Sequence, residues 1–75
     1  MQKTWAGKRV LVEWMDIAVL TNTEDELKPV QAYTVGWVEV DAKDYITLLT
    51  TKYKDLSFSD KISIPKGCIT LIKKI

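Results

Sequence analysis

Apolar residues alternate with polar ones in five short stretches, a period-two spacing that predicts strands rather than helices. The first stretch runs from Lys8 to about Ile17, with Val10, Val12 and Trp14 on one face and Arg9 and Glu13 on the other. The second runs from about Ala32 to Asp41, where Gly36, Val38 and Val40 alternate with Val35, Trp37 and Glu39. Gly36 marks a bend, a bulge or a close backbone approach. The third covers Tyr45 to Tyr53, with Ile46 and Leu48 opposite Tyr45, Thr47 and Leu49. The fourth covers about Phe58 to Ile64 with Ile62 and Ile64 inward, and the last runs from Cys68 to about Lys74, carrying Ile69, Leu71 and Ile72.

The connections fit this reading. Thr21 to Pro29 is polar, and Thr23 and Glu26 have the spacing of a capping box, so one helical turn is expected there before Pro29. Asp41-Ala42-Lys43-Asp44 reads as a tight turn, since Asp favours turn geometry. Lys54-Asp55-Leu56-Ser57 is a polar link. Pro65-Lys66-Gly67 predicts a compact turn of 3₁₀ type, because Pro pre-sets φ and Gly permits a left-handed step. Five strands, one long polar loop and a Pro-Gly turn predict an all-β domain over residues 1–75, a small five-stranded, partly open barrel.

Length and composition change the picture in one respect. A chain of 75 residues buries only about 60% of its unfolded surface. Such domains commonly need a disulfide, a metal or a second subunit. Cys68 is the single cysteine and there is no histidine, so neither a disulfide within the chain nor a good zinc site is expected. Self-association remains, and the 47% hydrophobic content points the same way. The net charge of +1 supplies no basic field of the kind that non-specific nucleic-acid binding uses. No apolar run reaches the roughly 18 residues of a membrane span, and Met1-Gln2-Lys3-Thr4 opens no signal peptide. The expectation is a cytoplasmic protein, with action in a host cell or a virion left open by composition.

The stretches Trp14-Met15-Asp16, Gly36-Trp37 and Ile64-Pro65 resemble a pattern in small proteins encoded by bacteriophages and prophages. The order of bent glycine strand, Asp turn, strand, variable loop and two strands about a tight turn is also similar to that of Sm-like proteins. The Ile64-Pro65 turn into the last strand resembles the end of Src-homology-3-type barrels. The phage resemblance implies an accessory protein of counter-defence or host takeover. The Sm resemblance implies a ring that binds RNA. However, Asp41-Ala42-Lys43-Asp44 lacks the Asn of the Sm nucleotide pocket, and Lys66-Gly67 replaces the Arg-Gly or Lys-His pair of those rings.

Catalytic chemistry finds little support. No histidine can serve as a base near neutral pH. Ser57, Ser59 and Ser63 stand in no nucleophile pattern, and Cys68 without a partner base reads as a small hydrophobe. Asp41 and Asp44 have turn-forming roles, and no glycine-rich phosphate loop is present. The chain reads as a non-enzymatic binding protein without a cofactor or metal.

Candidate contacts come from aromatics and cations. Six Trp and Tyr rings exceed what so small a core can hold, and Trp37 faces outward if Val38 and Val40 face inward. Exposed rings mark partner surfaces or stack nucleobases. Trp14 and Asp16 share a strand face. Their plainer reading is a core indole with a carboxylate that satisfies loop amides, and their other reading is a ligand contact. Lys8, Arg9 and Lys66 could converge on an anion at one barrel end, Lys73 and Lys74 protect an edge, and Glu24-Asp25-Glu26 forms a solvated acidic loop. The residues expected to make contacts are Trp37, Tyr45, Arg9, Lys66, Trp14 and Asp16. A homo-oligomer that sequesters a small nucleotide-like anion or blocks a host protein is the leading expectation. A single-stranded RNA or DNA binder of Sm type and a structural phage component are the alternatives.

Overall fold

The computed structural model describes residues 4–16 and 30–75. Five strands form one antiparallel sheet: β1 (Arg9–Asp16), β2 (Val30–Asp41), β3 (Tyr45–Lys52), β4 (Phe58–Pro65) and β5 (Ile69–Lys74). A 3₁₀ turn, Lys66–Cys68, joins β4 to β5. The order across the sheet is β4-β3-β2-β1-β5. The expected all-β class holds, with strand limits within about two residues of those the alternation predicts. The helical turn expected between Thr21 and Pro29 lies outside the described residues.

The topology forces the sheet to curl. In a flat sheet β4 and β5 would lie four strand spacings apart, roughly 19 Å. The chain from Pro65 to Ile69 spans at most about 14 Å. The two edges are therefore drawn toward each other at the 3₁₀ turn, yet they do not pair, which leaves the barrel partly open.

Gly36 makes the curl sterically possible. A Cβ added there would lie 2.6 Å from the carbonyl oxygen of Leu49. No side chain fits at that distance, so β2 bends over β3 only with glycine at this position. The core beneath the bend is aliphatic: Val10, Val12, Val38, Ile46, Leu48 and Ile64 are all buried. Trp5, Trp14, Ile62, Ile69 and Ile72 pack around it. The hydroxyls of Thr47 and Ser63, 2.8 Å apart, satisfy the buried Thr47 side chain.

Two bulges break the simple alternation. One lies at Glu39, where Val38 pairs with Leu48 but Val40 pairs with Thr47. The inward step from Val38 to Val40 is lost, and Val40 is only half-buried. The other lies at Thr70: Glu13 pairs with Leu71 and Trp14 with Ile69. The extra residue lets Ile69 and Ile72, three apart, both face the core, while Leu71 faces out and is 48% exposed. The Thr70 hydroxyl donates to the Glu13 carbonyl at 3.0 Å and fixes this irregular step.

Candidate binding site

At the mouth of the barrel a cavity of about 320 Å³ is lined by Trp5, Asp41, Ile46, Lys66, Ile69 and Ile72. Each wall has a local cause. Trp5-Ala6-Gly7-Lys8 is a turn closed by the Lys8 N–H donating to the Trp5 carbonyl at 3.0 Å. Gly7 has φ of 81°, the left-handed conformation that the third position of a type II turn requires. The Gly7 N–H donates to the Val38 carbonyl at 2.8 Å, and the Val38 N–H donates to the Lys8 carbonyl at 2.9 Å. These bonds pin the turn to β2 and carry the Trp5 indole to the mouth.

Asp41 ends β2 and serves the cavity rather than the turn alone. Its Oδ2 accepts the Trp5 N–H at 2.9 Å and the Thr4 hydroxyl at 3.2 Å. Its Oδ1 forms a close ion pair with Lys66 Nζ. That oxygen is buried and has no other partner among the described residues, so Lys66 alone neutralises it. The Lys66 ammonium, with the Trp5 amide second, holds the Asp41 carboxyl below its ordinary value of 3.8, against the opposing effect of burial. Lys66 is placed for this by the 3₁₀ turn, where its N–H donates to the Asp44 carbonyl at 2.8 Å. Its side chain is 39% exposed, whereas that of Asp41 is 9% exposed. The mouth therefore presents an ammonium outward with its carboxylate turned inward.

The residues singled out from the sequence do not fall together. Lys66 lines the cavity. Lys8 stands beside it, its Nζ 5.8 Å from the centre of the Trp5 ring. Arg9, the third cation expected to converge there, lies on the outer face opposite Trp37. Trp37 is half-buried on that face, with Lys52 Nζ 5.1 Å from its ring centre. Tyr45 begins β3 opposite Pro65 and is 44% exposed, outside the cavity lining. Trp14 packs against the core, and its Nε1–H donates to Thr34 Oγ1 at 3.0 Å. Asp16 is half-buried at the end of β1, opposite Val30. Cys68 is half-buried in the 3₁₀ turn.

Trp5, Asp41, Ile46, Ile69 and Ile72 share no spacing in the sequence that marks them as one group. Asp41 and Lys66 are separated by a strand pair, and no local spacing joins them.

The outer face of β5, β1 and β2 is the second distinctive surface. Its cross-strand rows are Leu71–Glu13–Tyr33, then Lys73–Leu11–Val35, then Arg9–Trp37–Leu49. Tyr33 is 65% and Val35 49% exposed. Among the described residues no group of three metal-ligating side chains is present, and no helix is long and apolar enough to cross a membrane. Comparison with protein-family models, curated proteins and solved structures finds no match to this chain.

Proposed function

We propose that this chain is a non-catalytic, self-associating binding protein whose ligand is a small, flat anion of nucleotide type. The cavity at the mouth carries the reading. Its volume, about 320 Å³, lies at the small end of the range for ligand pockets. A ring system would lie against the Trp5 indole and over Ile46, Ile69 and Ile72. Its anionic group would take the Lys66 donors that Asp41 leaves over, since an ammonium carries three. Lys8, held against Trp5, adds a second cation at the rim. Asp41 opposes an anion only weakly, because its oxygens are already met by Trp5, Thr4 and Lys66. The phage resemblance supplies the setting: a cytoplasmic accessory protein that sequesters a nucleotide signal or blocks a host protein.

A second reading has its own observation. Trp37 lies beside Arg9 on the outer face, and Tyr33 lies four residues away on the same strand, opposite Glu13; the two rings and the cation offer a stacking surface for single-stranded nucleic acid of the kind that Sm-like proteins bind.

Thermal unfolding of the full chain with AMP, adenosine, inorganic phosphate and a uridine oligonucleotide tests both. AMP should raise the midpoint more than adenosine or phosphate alone. Trp5→Ala and Lys66→Met should each abolish the rise in chains that still fold by circular dichroism. No shift with any mononucleotide overturns the proposal. Stabilisation by the oligonucleotide alone favours the second reading.

A further inference from the structure

We infer that two copies of this chain associate through the outer face of β5, β1 and β2, about a two-fold axis running along the Lys73–Leu11–Val35 row. This rests on the self-association in the reading above and names its surface and geometry.

The face has the composition of an interface. Val35, Leu71 and Tyr33 are each exposed by nearly half or more, with Leu11 half-buried between them. Together they present apolar surface on the order of the few hundred Å² that marks an interaction site. A domain of this length gains from such cover, since its own core is small.

Charge decides what the occupant is. On β1 the row before Leu11 carries Arg9 and the row after it carries Glu13, both directed outward. They lie four residues apart on one strand, roughly 13 Å, and form no ion pair with each other. Neither side chain forms an ion pair with any other described residue; the two such pairs are Lys61–Glu39 and Lys66–Asp41. One positive and one negative group therefore stand at equal distances on either side of the Lys73–Leu11–Val35 row.

A two-fold axis along that row exchanges the two positions. Arg9 of one copy meets Glu13 of the other, twice, by symmetry. Leu11 meets Leu11 and Val35 meets Val35 across the axis. Tyr33 of one copy comes over Trp37 of the other. The one like-charged meeting is Lys73 with Lys73, at the β5 margin, where solvent screens it. A surface that is its own complement in charge is what an isologous dimer requires. An unrelated partner would need no such antisymmetry.

Sedimentation equilibrium of the full chain over a range of concentrations gives the test. The wild-type chain should form a dimer. Glu13→Arg leaves two cations facing two cations, and Arg9→Glu leaves two anions facing two anions. Each alone should weaken association at least tenfold, with the dichroism spectrum unchanged. Mixing the two variant chains should restore a dimer, because every cross-interface position then holds opposite charges. Improved folding of either variant cannot produce that recovery.

A wild-type chain that stays monomeric overturns the inference and the self-association with it, while ligand binding at the cavity is judged separately by the thermal shift. A dimer that survives both single changes, or a mixture that fails to associate, overturns this geometry and leaves self-association through another surface.

Discussion

The barrel mouth and the outer face of β5, β1 and β2 are built from the same kinds of residue, an indole, a cation, a carboxylate and branched aliphatics, but in opposite states. At the mouth the charges are met within the chain: Asp41 takes Lys66, the Trp5 amide and the Thr4 hydroxyl. On the outer face Arg9 and Glu13 form no ion pair with any described residue. The difference follows from curvature. The 3₁₀ turn brings β4 and β5 to one end of the sheet, so residues 25 apart in sequence converge there. On the outside of a strand, residues of like direction only draw apart. A charge pair at the mouth thus belongs to the fold, while the two charges on the outer face are met only in the proposed dimer.

Substitutions should divide along the same line, changing stability at the mouth and association on the outer face. The largest effect is expected at Gly36, where the bend separates the two regions. Gly36→Ala places a Cβ 2.6 Å from the Leu49 carbonyl oxygen, a backbone atom that cannot turn away. A loss of about 3 kcal/mol or more is expected, in the range of severe backbone and overpacking changes. Urea unfolding reads it, and both ligand response and association should fall together. An unchanged midpoint would show that β2 does not need this close crossing.

Next in size is Asp41→Asn. It removes the charge that pairs with Lys66 but leaves an amide to accept from Trp5, so a loss of about 2 kcal/mol is expected at neutral pH. The pH dependence has a definite sign. The Asp41 carboxyl titrates below its ordinary 3.8 in the folded protein, so its contribution is complete above about pH 4. It is lost as pH falls through the lower, folded value. The advantage of wild type over Asp41→Asn should therefore shrink progressively as pH falls below about 4. Asp55, lowered by the Ser57 hydroxyl and amide, shifts both chains alike and cancels in the difference. Urea midpoints at pH 7 and pH 2.5 check this, and a gap as wide in acid as at neutrality would refute it. Dimerisation should be unaffected at neutral pH.

Much of this arrangement was legible in the alternation of residues. Val10 and Val12, Ile46 and Leu48, and Ile62 and Ile64 each keep strict period two through a regular strand. Gly36 and Pro65-Lys66-Gly67 carry their geometry in their own backbone restrictions. The bulges were not legible, because an extra residue at Glu39 or Thr70 is set by pairing with another strand. This is why Val40 and Leu71 leave the faces that alternation alone suggests. The mouth was hidden for the same reason. Trp5 precedes the first strand, and Asp41 already had a sufficient local role as a turn residue. Only the long-range closure of the sheet sets them beside Lys66.

A smaller effect is expected at Lys52, whose ammonium lies 5.1 Å from the Trp37 ring centre. Lys52→Met keeps most of the aliphatic stem and removes the cation. At an exposed site that contact contributes about 0.5–1 kcal/mol, so the urea midpoint should move by no more than this. A loss well above it would mean that Lys52 also holds the β2–β3 pairing together.

The smallest change in the folded chain gives the sharpest separation of the two regions. Val35 is 49% exposed on the outer face, and Thr is its near-isostere with the same branching at Cβ. Val35→Thr keeps the strand preference and disturbs no core contact, so monomer stability should stay within about 0.5 kcal/mol. In the proposed dimer, however, Val35 lies against itself across the two-fold axis, and each change counts twice. Losing about 0.8 kcal/mol per apolar carbon from two chains raises the dissociation constant by roughly tenfold. Unfolding at low concentration and sedimentation at high concentration should therefore disagree about this one substitution. If both report no change, the outer face is solvent-facing in the assembled protein, and the opposed states of the two regions have some cause other than a second copy.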